Sequence, residues 1–405
     1  MIQDREQKKA ALRYAVAKRW FPQLELEVST YITLSRTPTN ITDIDVFAAV
    51  PDEFVGFRSI VIDCKTRKGE SPINRAMWQK GLIARLGADG GICVLRVPKI
   101  VADHRYTAAQ FGVALVTESE FEAFASATAP LYKLPIGAIA NLDLWEKYFA
   151  IAKQFPALAQ AIQFSRSSYW MSDGPAEACI RTIFLLTALR PELDPDRPEH
   201  LTVVADIAAL FLHSLARIVV KIFAAYLQPG SREELSTALL LFLYGGRNSY
   251  DHLNRIRRML AQPKARSADR EASTGELFAP DESQETPRDA KPANDQPVPF
   301  GQRDLSLPEW SRFVELVRQM LDAPIEVNRS PLLMREIGWS ALGGVREIAD
   351  GVSSFSRDLA LASPQGARFA VLGLTYLCRA AALPREFIDT LGGRLLAAQV
   401  KPPRS

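Results

Sequence analysis

Four charged side chains set in two apolar runs are where this sequence could do chemistry. Thr42–Val50 reads T-D-I-D-V-F-A-A-V, and Arg58–Lys65 reads R-S-I-V-I-D-C-K. β-Branched and apolar residues dominate both runs, and the Pro51–Phe57 interval carries turn chemistry, so both are expected to be strands. Side chains alternate along a strand. Asp43, Asp45 and Phe47 would therefore share one face of the first, and Val61, Asp63 and Lys65 one face of the second. Carboxylates and an ammonium projecting from an apolar sheet need partners. A divalent metal between the carboxylates is one solution, since hard cations take oxygen ligands. An ion pair at the sheet edge is the other.

The pattern of an acid ending one strand and acid-x-Lys in the next resembles the PD-(D/E)xK, or restriction-endonuclease-like, nuclease superfamily, over roughly the first 125 residues. The matching residues are Asp45, Asp63 and Lys65. Acid-x-Lys also occurs at Glu6/Lys8 and Asp289/Lys291, but only the Asp63 copy lies in an apolar strand with an acidic strand before it and a helix after it. The resemblance implies a metal-dependent endonuclease hydrolysing DNA, with RNA the other possible substrate. Mg²⁺, or Mn²⁺, would be held by Asp45, Asp63 and the carbonyl of Cys64, with Asp43 a competing ligand. The ion would lower the pKa of the attacking water, and Lys65 would orient that water or stabilise the phosphate charge. Other members add an acid on the first helix and a Gln or Lys after the motif, for which Glu6 and Gln79 stand in position. Arg67, Lys68, Arg75 and Lys80 would contact phosphates. Cutting both strands would call for a homodimer.

The elements that must hold these residues follow in order. A helix is expected over Asp4–Trp20, with Leu12, Val16 and Trp20 as its packed stripe, and a strand over Leu24–Leu34. After Lys65 comes a basic turn, then Ser71 and Pro72 as cap and first residue of a helix running to Leu86, with Gly87 at its end. Gly91–Val97 and Val113–Val116 read as strands, Tyr106–Phe111 as a short helix, and Glu118–Phe124 as the start of another. The expected fold is an α/β N-terminal domain with a mixed central sheet (an α-β-β-β-α-β core), followed by a mostly α-helical C-terminal region. Helices are expected over Asp143–Phe155, Pro175–Leu189, Leu201–Leu227, Ser231–Leu243, Tyr250–Leu260, Glu309–Leu321, Met334–Ile348 and Pro364 to Val400. Residues 262–308 are rich in Pro, Asp, Glu, Ser, Arg and Lys and read as a disordered linker or excursion. The domains expected are thus 1–128, 129–261 and 309–405, the last two helical and suited to regulation, oligomerisation or docking of a partner protein.

In that helical part, Arg247-Asn248-Ser249-Tyr250-Asp251-His252 resembles the Arg-polar-x3-His form of HEPN ribonucleases, in which His is a general base and Arg stabilises the phosphate. This is an alternative ribonuclease site. A further alternative is a catalytically inactive nucleic-acid-binding or scaffold protein that keeps the fold and uses the charges as ion pairs.

Composition sets bounds. With 47% hydrophobic residues in 405, the chain can bury a real core, and a net charge of +3 is too small to argue for nucleic acid alone. Four scattered cysteines suggest neither a zinc site nor a disulfide framework. The N-terminus does not read as a signal peptide, because its first apolar residues are interleaved with Arg and Lys. Leu201–Leu227 is long enough to span a membrane, but Asp206, His213, Arg217 and Lys221 fall on one helical face, the pattern of a helix packed in protein. A cytoplasmic protein that does not enter a membrane is expected.

Overall fold

The computed structural model describes residues 2–29, 39–65, 71–134, 136–249, 251, 255, 307–343 and 352–400. By contacts the chain divides into Met1–Leu235 with Pro308–Ser405, and Ser236–Leu307. The sheet and most of the helices lie together in the first unit, so residue 128 is not a border between compact units. The expected linker falls almost wholly outside the described residues.

The first unit opens with α1 (Arg5–Ala17), followed by β1 (Phe21–Ser29), β2 (Asn40–Asp52) and β3 (Gly56–Lys65). Next come α2 (Pro72–Leu86), β4 (Gly90–Leu95), α3 (Ala102–Gln110), β5 (Val113–Thr117) and α4 (Glu118–Thr128). The five strands stand side by side in chain order. β1, β2 and β3 form an antiparallel meander, and β4 and β5 add in parallel to β3. Parallel pairs need crossover connections, which α2 and α3 supply. This is the mixed sheet and core order expected from the sequence.

Local chemistry fixes the turns. Asp52 accepts the N–H groups of Phe54 and Val55 and holds Arg58, and Gly56 takes a φ of 82°, so β2 turns tightly into β3. Pro72 lies in the first turn of α2, and Gly87 ends the helix at φ 61°, a left-handed conformation that costs glycine little. Thr117 and Glu120 form a reciprocal capping box at the start of α4.

Two helical layers cover the sheet. Ala76, Leu82 and Ile83 of α2 and Ala108 of α3 pack on Phe47, Val61, Cys93, Leu95, Val113 and Leu115. The alternate residues Ile62, Cys64 and Val94 are buried but lie outside that cluster, as do Ala11, Leu12, Ala15 and Val16 of α1. α1 and α2 therefore lie on opposite faces.

The helical part continues with α5 (Leu142–Gln154), α6 (Ala159–Gln163), a π-turn at Phe164–Ser168, α7 (Pro175–Leu189), α8 (Pro198–Tyr226) and α9 (Arg232–Tyr244). It resumes with α10 (Trp310–Met320), α11 (Pro324–Val327), α12 (Ser330–Leu342), α13 (Ser354–Ala362), α14 (Pro364–Ala380) and α15 (Arg385–Ala398). The single periodic stretch expected from Pro364 is two helices, because Ala382 adopts φ 52° and Pro384 follows. α8 has the length and composition of a membrane span, yet 94% of its most apolar window is buried inside the protein. Its polar residues are not all alike: Asp206 is fully buried in an ion pair with Arg335 of α12 at 2.6 Å and His213 is buried against Phe21 and Phe57, whereas Arg217 is half-buried and Lys221 exposed. Arg335 also donates to the carbonyl of Pro22 and lies over the Phe21 ring, stitching α8 and α12 to β1. In the second unit, Gly245 and Gly246, both at positive φ, follow the end of the helical run at Tyr244.

Candidate functional site

The β2–β3 ladder runs from Asp52↔Gly56 to Val46↔Ile62 and stops one residue short of Asp45 and Asp63. On its other side β2 pairs with β1 at Leu24↔Val46 and Leu26↔Ile44, passing over Glu25 and Asp45. Glu25 sits at φ 52°, a left-handed conformation that strains a side-chain-bearing residue and persists only where its surroundings require it. Alternation slips here, and Ile44 joins Phe47 in the core beneath α2. The expected common face of Asp43, Asp45 and Phe47 is therefore not formed. Asp45 turns instead toward α1.

There it meets Lys8. The Lys8 ammonium lies 2.8 Å from Asp45 Oδ1 and pairs as well with Glu25 Oε1, while Asp45 Oδ2 accepts the Cys64 N–H at 2.6 Å. Lys8 is 4% exposed and Asp45 5%. Burial works against the Lys8 charge, but Asp45 and Glu25 outweigh it and hold the ammonium protonated well above the ordinary lysine range. Asp45 also moves up, to about 6: burial, aided by the charge of Asp63, outweighs the pull of Lys8. Asp45 is thus a costly carboxylate that its ion pair only partly offsets.

Asp63 goes to the other layer. It is 2% exposed, beneath α2, where Arg75 Nε donates to Oδ2 at 2.5 Å and Arg75 Nη2 to Oδ1. The guanidinium also stacks on Trp78, 3.6 Å from the ring centroid. Arg75, expected at phosphates, is instead the buried fork that neutralises Asp63, since a buried carboxylate without a cation would be far less stable. Gln79 is fully buried, donates to the carbonyls of Val61 and Ile92, and accepts from the Cys93 thiol. It stitches α2 to β3 and β4 and does not line the pocket described next.

An open pocket of about 720 Å³ exposes the α1-side group, with Lys8, Glu25, Asp43, Asp45, Lys65, Lys153 and Arg166 in its wall. Asp45 and Lys65 are brought together there; Asp63 is not part of the lining. Arg166 is engaged with Glu27 at 2.9 Å, and Asp43 accepts from Asn40 in an exposed position. Among the described residues, Lys65 and Lys153 have no carboxylate within ion-pair distance. Glu6 is exposed and lines a different pocket, of about 820 Å³, beside Lys9 and Arg96. Lys80 is exposed on α2, and Arg247 is exposed in the second unit. Arg67, Lys68 and His252 lie outside the described residues.

The expected metal ligands do not fit a divalent ion as they are placed. Both oxygens of Asp45 are taken by Lys8 and the Cys64 N–H, and both oxygens of Asp63 by Arg75. Among the described residues no group of three His, Cys, Asp or Glu side chains could hold a metal. The pocket residues missed by sequence reasoning are Lys8, Glu25 and Lys153. Lys8 had a signal, a lysine one turn before the packed Leu12 of α1, whereas Glu25 depends on a backbone irregularity and Lys153 on tertiary packing. No protein-family profile, curated protein or solved structure matches this chain.

Proposed function

We propose that this chain binds nucleic acid, DNA in the first instance, at the open pocket beside Asp45, on a restriction-endonuclease-like α/β platform. The observation that carries the reading is the pairing state of the pocket's charges. Glu25 and Asp45 share the Lys8 ammonium, Glu146 pairs with Arg5 at 2.8 Å and Arg166 with Glu27, while Lys65 and Lys153 have no carboxylate within ion-pair distance among the described residues. These two ammonium groups, in a wall that also carries the exposed Asp43 carboxylate, are placed to take phosphates as point charges on flexible stems. Because phosphate contacts release counterions, binding should weaken steeply with salt. Titrating a labelled duplex against the full chain in EDTA across a salt series tests this. Lys65→Ala and Lys153→Ala should each lower affinity and reduce the salt slope by about 1, while Lys80→Ala, on exposed α2, changes neither. Unaltered binding in both pocket variants would refute the site, and no binding by the wild type would refute the function.

A second reading, hydrolysis of DNA, is favoured by one observation: Asp45 and Lys65, two of the three residues matched to the nuclease motif, line the same open pocket. It requires Asp63 to leave Arg75.

A further inference from the structure

We infer that Lys8 serves as the built-in cation of this site: its ammonium stands where Glu25 and Asp45 converge, the position a divalent ion would take in an acidic pocket. The inference rests on the reading of this pocket as the functional one, but not on nucleic-acid binding itself. Three independent features support it. The ammonium pairs with both carboxylates at once, and it is buried rather than solvated. The strained backbone at Glu25 sits where the β1–β2 ladder passes over Glu25 and Asp45, and the Glu25 carboxylate meets the same ammonium. Arg75 pairs with Asp63 from the opposite layer, so each acid of the motif already has a cationic partner within the chain. The ammonium leaves a single formal negative charge on the two acids and fills the space between them that a second cation would need. Removing one unit charge at contact distance should raise divalent-cation affinity by at least about 1,000-fold, since even two unit charges 4 Å apart repel by about 4 kcal/mol at the effective dielectric near a protein surface.

The test is calorimetric titration of Mn²⁺ into the full-length wild type and Lys8→Met, which keeps most of the side-chain volume and removes the charge. The wild type should show no one-site binding at millimolar metal. Lys8→Met should gain a single site that Asp45→Asn in the same background abolishes. One-site binding by the wild type that Asp45→Asn removes would overturn the inference, as would a folded Lys8→Met that binds no metal. If Lys8→Met does not fold, the wild type and Lys8→Arg decide: silence in both supports the built-in cation, and a site in either overturns it. Duplex binding in EDTA, measured on the same samples, separates failure here from failure of the proposed function.

Discussion

Lys8 meets Asp45 across the interface between α1 and β2, and that contact has a pH signature. Asp45 is raised to about 6 by burial and Asp63, while Lys8 and the Cys64 N–H pull the other way and Glu25 shares the same ammonium. Below about pH 4 the carboxyl is protonated in both folded and unfolded chains. Between there and about 6 the unfolded chain releases its proton first, so the folded chain binds more protons and stability falls as pH rises. Asp45→Asn cannot titrate. Its stability relative to the wild type should therefore improve by roughly 2–3 kcal/mol from pH 4 to 7 and then stay level, as measured by denaturant melts across that range. A gap that does not change with pH would show that Asp45 is not held in this environment. At this scale the sequence was readable in residue type but not in direction: Asp45, Asp63 and Lys65 stand out as charges in apolar runs, and the structure places them in strands, buried or half-buried. Which way each side chain points depended on the slip at Glu25 and Asp45, and period-two alternation cannot foresee an irregularity.

The elements themselves were far more predictable than the contacts between them. Pro72 and Gly87 bracket α2, Asp52 and Gly56 close the β2–β3 turn, and continuous apolar runs give β4 and β5. Such signals are local, so one sequence suffices to read them. The seating of α2 is a tertiary matter and rests partly on Gly91. A methyl group there would lie 2.5 Å from Gln79 Nε2 and 2.8 Å from its Cδ. Gln79 cannot swing aside freely, since its amide is spent on Val61, Ile92 and Cys93. Gly91→Ala should thus destabilise the protein by about 1–3 kcal/mol through overpacking, and Gly91→Ala with Gln79→Ala should recover part of that loss. Equal loss in the single and double variants, measured by thermal unfolding, would mean Gln79 is not what Gly91 accommodates.

In the whole molecule the helical part does not follow the sheet as a separate bead within the first unit. The fully buried Arg335–Asp206 pair and the contact of Arg335 with Pro22 join α8 and α12 to β1, and Glu336 accepts the N–H groups of Ala138 and Ile139. Such long-range pairings leave no local pattern, which is why the loss of strand signals suggested a border near residue 128 that the contacts do not respect. The same packing brings Lys153 of α5 into the pocket of Asp45 and Lys65, so the helical part supplies some of the surface that would meet DNA. On the proposed reading this surface binds DNA, while its internally paired acids leave no place for a divalent ion. Incubating supercoiled plasmid with the full chain, with and without Mg²⁺ or Mn²⁺, puts that claim to the most direct test. The expected result is a mobility shift in every condition with the plasmid left supercoiled; metal-dependent nicking that Asp63→Ala and Lys65→Ala abolish would contradict it.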